Sequence, residues 1–319
     1  MKRIALLDDY QNVATKFADW SDVRKRADVT VFNDHVADQE ALLERLLPFD
    51  ALCVMRERTP LPRAILERLP NLRFIASTGA RNASIDLFAA RELGIAVSST
   101  SANGSGAPEV TWALILAAAR RIPNEVASLR AGAWQTEVGL DLSGNTLGII
   151  GLGRIGKQVA KVAIAFGMDV IAWSQNLTEE AAQSLGVTRV DKDDLLRRSD
   201  WVSIHLVLSD RTRAVIGRRE LELMKSSAWL VNTSRGPLVD EDALVQALKN
   251  DLIAGAALDV FDFEPLERGH AFASLTNVIA TPHIGFVTER SYRIFYRETV
   301  ENVLAWLDAK PIRLMSAEN

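Results

Sequence analysis

The chain has one cysteine, four histidines and 7% aromatic residues, and these scarcities narrow its chemistry. With Cys53 alone no disulfide can close within the chain, which fits a reducing compartment. Cys53 lies in the apolar run Ala51-Leu52-Cys53-Val54-Met55, where a small core hydrophobe is a better reading than a nucleophile. No His, Cys or acidic cluster has metal-ligand spacing, so no catalytic metal is expected. Long basic runs are also missing: 37 Lys plus Arg stand against 41 Asp plus Glu, a net charge of -4, and no nucleic-acid partner is expected. No apolar stretch reaches the length of a membrane span. The first one ends at Asp8-Asp9, too short for a secretory signal core. A cytoplasmic protein without a membrane partner is the expectation.

What is present suits a packed enzyme, with 48% hydrophobic and 24% charged residues. A length of 319 residues predicts two domains, with ligands favouring the cleft between them. Short apolar runs at 3–7, 29–32, 51–54, 74–76 and 96–97 predict parallel strands, and helical spacing over 39–47, 63–69 and 87–93 predicts crossover helices. Residues 98–108, built of small residues, cannot form a core and predict an interdomain hinge. An apolar helix over 109–120 follows, and then a second series with strands at 147–150, 169–173, 201–204, 228–232, 253–258 and 277–280. Residues 288–307 predict one long amphipathic helix. No short tandem repeat is present.

Gly151-Leu152-Gly153-Arg154-Ile155-Gly156 sits between the strand at 147–150 and a helical pattern over 157–166, the context that makes a GxGxxG string specific. Gly151 permits a tight turn, Gly153 lets backbone amides approach a pyrophosphate, and Gly156 lets the helix pack on the strand. The helix N-terminus then meets the diphosphate. The next strand runs into Ser174-Gln175-Asn176, eighteen residues past Gly156, with no acid to bind an adenosine ribose and repel a 2'-phosphate. No Arg or Lys stands there either. Weak discrimination between NAD and NADP, or an NADP lean, is expected.

That loop, followed by Val231-Asn232-Thr233-Ser234-Arg235-Gly236, Ala257-Leu258-Asp259-Val260-Phe261 with Glu264-Pro265, and Thr281-Pro282-His283-Ile284-Gly285, resembles the D-isomer-specific 2-hydroxyacid dehydrogenases. Weaker agreement at Ser203-Ile204-His205-Leu206 and over 55–77 extends the likeness along nearly the whole chain. The resemblance implies hydride transfer between NAD(P)H and a small 2-keto acid. Arg235 would hold the carboxylate and keto oxygen with its planar fork and orient the carbonyl. His283 would give and take the substrate proton, and Glu264 would fix its ring and favour the protonated form. Cofactor contacts are implied for Gly151, Gly153, Arg154, Ile155, Gly156, Ser174, His205, Thr233 and Asp259, with Asn232 a lesser candidate. His35 and His270 show no partner pattern.

In the first series Thr78, Gly79, Ala80 and Arg81 follow a strand, where relatives bind the substrate carboxylate with backbone amides. Gly79 and Ala80 have the small side chains for such an approach. Arg81 departs from the small or apolar residue of many relatives; it is either a surface or hinge salt bridge or a second anion-binding group. Leu206-Val207-Leu208 lacks the proline common after the first leucine. Arg56 and Arg58 could line the cleft or be structural. The expected architecture is α/β, with two Rossmann-like domains of parallel sheet around an active-site cleft. A discontinuous substrate domain takes residues 1–100 and 291–319, and a dinucleotide-binding domain takes 101–290. A homodimer is implied, with contacts at 109–120 and 134–142. Formate dehydrogenases share the fold and the arginine but carry glutamine in place of Glu264. A nucleotide-sensing interaction protein of the same superfamily would not need the Arg235, Glu264 and His283 set.

Overall fold

The computed structural model describes residues 1–316 as two compact units, Met1–Asn103 with the chain from Thr288 onward, and Gly104–Val287. The last part of the expected 291–319 segment, residues 317–319, lies outside the described residues.

The first unit holds a parallel sheet of β1 (Lys2–Leu6), β2 (Ala27–Val31), β3 (Ala51–Val54), β4 (Phe74–Ser77) and β5 (Ala96–Ser98), in the order β2-β1-β3-β4-β5. β3 and β4 are buried at every residue, which is why they read as continuous apolar runs rather than alternating ones. Burial pushes the Cys53 thiol up to about 12, leaving it an unreactive core residue. Crossover helices begin where a carboxylate accepts an orphan amide: Asp38 from Ala41 and Asp86 from Ala89. The long helix Glu289–Leu307, capped by Thr288, buries Tyr292, Phe295, Tyr296 and Val303, and Trp306 stacks on Phe74 with centroids 5.2 Å apart. Residues 98–108, expected as a hinge, are in part held by other elements. Ser98 Oγ donates to Ile312 O at 2.6 Å, and Ser101 N donates to Glu298 Oε2 at 2.6 Å, so these residues are held by the C-terminal segment. The far end of this stretch, from Gly106, is already helical.

The second unit holds seven parallel strands: β6 (Thr146–Ile150), β7 (Asp169–Trp173), β8 (Thr188–Arg189), β9 (Trp201–Ile204), β10 (Trp229–Asn232), β11 (Gly255–Leu258) and β12 (Val278–Ala280). Their order, β12-β11-β10-β9-β6-β7-β8, reverses direction between β6 and β9, where this class of sheet opens a crevice at the carboxyl ends of its strands. β8, only two residues long, escaped the sequence pattern. Helix Gly106–Ala119 buries Val110, Trp112, Leu114, Ile115, Ala118 and Ala119 in this unit's own core. The apolar side chains of that helix thus have partners within this unit, while Glu109 and Ala113 on its other side are exposed. Helix Ile122–Arg130, which had no counterpart in the sequence reading, buries none of its residues. Among the described residues no helix is long and apolar enough to cross a membrane.

Candidate active site

The glycine loop leaves β6 through Gly151, whose φ of +103° is open to glycine. A side chain there would also put its Cβ 2.6 Å from the carbonyl oxygen of His205. Gly156 is needed for proximity: its Cβ would stand 2.2 Å from Gly151 O and 3.2 Å from Ile149 Cγ2, so helix Arg154–Ala165 lies directly on the strand. Gly153 differs, because nothing lies within 4 Å of where its Cβ would be. It is the helix N-cap and has no side chain to cap with, and among the described residues the amides of Arg154, Ile155 and Gly156 have no acceptor. Three free amides at a helix start facing open space suit a diphosphate.

Ser174, just past β7, closes one side of the loop by accepting from Leu152 N at 2.9 Å, while Gln175 and Asn176 are exposed. His205, just past β9, closes the other. Its Nε2 lies 2.9 Å from Ser203 Oγ, and its Nδ1 is buried with no hydrogen-bond partner. Burial drops the imidazole to about 4, so it is uncharged at neutral pH. Together these features fit a dinucleotide: a backbone cradle, open space at Gly153, and an unsatisfied buried nitrogen beside it.

Arg235, Glu264 and His283 follow β10, β11 and β12, three adjacent strands with their carboxyl ends on the same edge. His283 Nδ1 lies 2.6 Å from Glu264 Oε2, and the other carboxylate oxygen of Glu264 accepts from Phe261 N at 3.0 Å. The carboxylate is thus pinned at both oxygens, and Nε2 is the ring nitrogen left for another molecule. The pair is partly open, at 24% and 29% side-chain exposure. Arg235 is placed by its neighbours: Asn232 Nδ2 donates to Arg235 O at 2.8 Å, and Arg235 Nη1 donates to Ser234 O at 2.7 Å. Gly236 then lies against the next loop, since a Cβ there would come within 2.0 Å of Phe261 C.

His283 has φ +50°, a left-handed conformation that strains a residue with a side chain. Asp259 holds it there. Fully buried, Asp259 accepts from Thr281 Oγ1 at 2.6 Å, Ile284 N at 2.8 Å and Gly285 N at 2.8 Å, gripping both sides of His283. Burial pushes its carboxyl up and the three donors oppose that shift. All three of these side-chain bonds go to the histidine loop, a role the sequence pattern does not give it. Thr233 Oγ1 lies 2.7 Å from Thr111 Oγ1, whose proton goes to Ala107 O at 2.8 Å, so Thr233 is the donor and helix Gly106–Ala119 is tied to β10.

In the first unit the loop after β4 differs from expectation. Thr78 N donates to Val54 O at 3.1 Å and Gly79 N to Thr100 Oγ1 at 2.8 Å, so both amides are already taken. Among the described residues the amides of Ala80, Arg81 and Asn82, next along this loop, have no acceptor. Gly79 has φ +88°, and a Cβ there would fall 1.6 Å from Arg56 Nη1, the end of a flexible side chain. Arg81 is exposed and, among the described residues, joins no ion pair. Arg58 donates to Asp8 O at 2.7 Å and stacks 4.2 Å from the Tyr10 ring.

Two histidines without an expected partner have one. His35 Nδ1 meets the buried Asp8 at 3.0 Å, and His270 Nε2 meets Glu241 at 3.1 Å. Both pairs span more than 25 residues, beyond any local pattern.

Residues 112–285 match the family model described as D-isomer specific 2-hydroxyacid dehydrogenase, NAD binding domain. The chain is 43% identical to D-3-phosphoglycerate dehydrogenase of Methanocaldococcus jannaschii over 80% of its length, but spans only 49% of that longer relative. It is 40% identical to glyoxylate reductase of Aeropyrum pernix, covering 88% of this chain and 86% of the relative. A crystal structure of phosphoglycerate oxidoreductase from Vibrio cholerae superposes with a TM-score of 0.91 at 39% identity, covering 97% of this chain and all of that one.

Proposed function

Since the chain belongs to the D-isomer-specific 2-hydroxyacid dehydrogenases, with NAD or NADP as cofactor, we propose that it reduces a small 2-keto acid to the D-2-hydroxy acid and catalyses the reverse. The observation that carries the reading is the Glu264–His283 pair at 2.6 Å, one strand end from Arg235 and in the same unit as the glycine loop.

When bound, a nicotinamide cofactor would supply or accept the hydride at the substrate C2. The chain supplies the rest. The amides of Arg154, Ile155 and Gly156 would hold the diphosphate, and Ser174 and His205 flank the glycine loop that presents them. Arg235 binds the substrate carboxylate through its fork and turns the carbonyl into line. In reduction His283 passes the proton on Nε2 to the keto oxygen as C2 gains the hydride, giving a neutral hydroxyl; in oxidation the same nitrogen takes that proton back. Glu264 keeps the ring oriented at Nδ1 and compensates the charge of the protonated imidazole. Asp259 fixes the backbone that presents His283.

Arg81, exposed and unpaired among the described residues, is proposed to bind a second anionic group of the substrate, which favours phosphorylated or dicarboxylic keto acids over glyoxylate. The Ser174-Gln175-Asn176 segment offers no carboxylate to exclude a 2'-phosphate, so NADPH is accepted. We further propose a cytoplasmic homodimer. Its contact uses Ile122, Val126, Leu129, Trp134, Val138 and Leu140, all exposed and consecutive along one segment. Steady-state assays of glyoxylate, hydroxypyruvate and phosphohydroxypyruvate with NADH and NADPH test the function. Turnover with the 2-keto acids supports it, and no oxidation of either cofactor by any of them refutes it.

A further inference from the structure

We propose that Glu241 and His270 form a strut that sets the position of Glu264, making both of them positioning residues for the proton-transfer pair; this rests on the role proposed above for Glu264 and His283.

Glu264 sits on the connection between β11 and β12, whose only regular element is the single turn Ala271–Ala273. A catalytic carboxylate must be held to within roughly 0.5 Å, and an irregular loop does not do this unaided. Glu241 does it from outside the loop. Its Oε2 accepts from Asp262 N at 3.2 Å and its Oε1 meets His270 Nε2 at 3.1 Å, so one carboxylate ties down both flanks of the segment that carries Glu264.

The histidine is itself oriented. Its Nδ1 accepts from Phe272 N at 3.3 Å, which leaves the ring proton on Nε2, directed at Glu241. Its ring packs 4.9 Å from that of Phe272, which is buried and lies 6.1 Å from the Phe261 ring. Glu241 is not needed to start its own helix, Glu241–Lys249, because Asp240 already caps it by accepting from Ala243 N at 3.0 Å. Asp262, whose amide Glu241 holds, has its own carboxyl pushed up by burial and by Glu241, with Arg213 opposing the shift. Six residues before Glu241 stands Arg235, and between them Gly236 presses on Phe261 and Asp262. The segment 235–241 therefore carries the guanidinium at one end and the strut at the other, and sets the spacing of Arg235 from Glu264.

His270→Gln and His270→Asn separate this role from simple support of the loop. Glutamine places an amide near Nε2 and keeps the Glu241 contact; asparagine places an oxygen near Nδ1 and keeps only the Phe272 contact. The strut predicts that His270→Gln stays within about threefold of wild-type kcat. His270→Asn and Glu241→Ala lose about tenfold in kcat, with KM for the keto acid and the fluorescence-measured Kd for NADH unchanged. Amide exchange at 262–264 should quicken in His270→Asn and not in His270→Gln. Equal kcat in the two histidine variants overturns the strut, as does a loss in His270→Asn matched by an equal rise in KM. Glu264→Gln is the control: if it loses turnover while His270→Asn does not, the strut alone fails; if it turns over like wild type, the reading of the pair fails and takes the strut with it.

Discussion

Gly153 and Gly156 occupy one motif but answer to different demands, so substituting each with alanine separates them. At Gly156 the added methyl would stand 2.2 Å from Gly151 O, about 1 Å inside contact with a backbone atom that cannot rotate away. The helix must retreat from β6, and overpacking of this kind costs about 1–3 kcal/mol. In a unit the size of Gly104–Val287, about 2 kcal/mol lowers Tm by roughly 4–8 °C. At Gly153 the methyl meets nothing within 4 Å, and the backbone, at φ -84° and ψ -156°, is extended and open to alanine. Reduced freedom in the unfolded chain then offsets a weaker N-cap, each effect about 1 kcal/mol or less, and Tm stays within about 2 °C. The same methyl occupies the space before the free amides of Arg154 and Ile155. Loss of one hydrogen bond to a charged phosphate, about 1.5–3 kcal/mol, weakens NADH binding by roughly 10- to 100-fold. Differential scanning fluorimetry and NADH fluorescence titration read the two quantities independently. A Gly153→Ala protein that binds NADH like wild type, or a Gly156→Ala protein with unchanged Tm, would refute the division of labour.

His283→Ala should lower kcat by about 10²–10⁴ while the Kd for NADH changes less than about twofold, as judged by steady-state kinetics beside fluorescence titration; near-normal turnover removes the proposed proton donor. Arg235→Lys should raise KM for the keto acid and also lower kcat, because an ammonium cannot replace a two-pronged contact; an unchanged KM counts against the carboxylate role. Burial lowers His205 to about 4 from 6.5, so between those values the unfolded chain binds a proton that the folded chain refuses. Stability from this group is complete above pH 6.5 and drains away as pH falls toward 4. Urea denaturation at pH 7.5 and pH 5 should show about 2 kcal/mol more loss in wild type than in His205→Gln; equal losses would mean that the ring is charged in the folded state.

The parallel strands and the glycine loop could be read from the chain because their signals are local. β3 and β4 are apolar at nearly every residue because both faces are covered, and Gly151 and Gly156 are recognised by spacing alone. The family likeness brought Arg235, Glu264 and His283 together, and they follow three neighbouring strands. Where local signals were short the reading failed: β8 is two residues long, and helices Ala14–Phe17 and Ser21–Arg24 are single turns with no room for a period.

Long-range hydrogen bonding belonged to the tertiary structure. Asp259 reaches residues 281–285, His270 reaches Glu241, and His35 reaches Asp8, partners that meet only because strand order folds distant loops onto one edge. The neighbour of Gly79 was equally hidden, since the guanidinium beside it comes from Arg56, just past the end of the neighbouring strand. Helix and strand periods follow from the sterics of adjacent residues, so they are written along the chain. Which carboxylate meets which amide depends on how elements far apart in sequence pack, and that is settled only when the cores close.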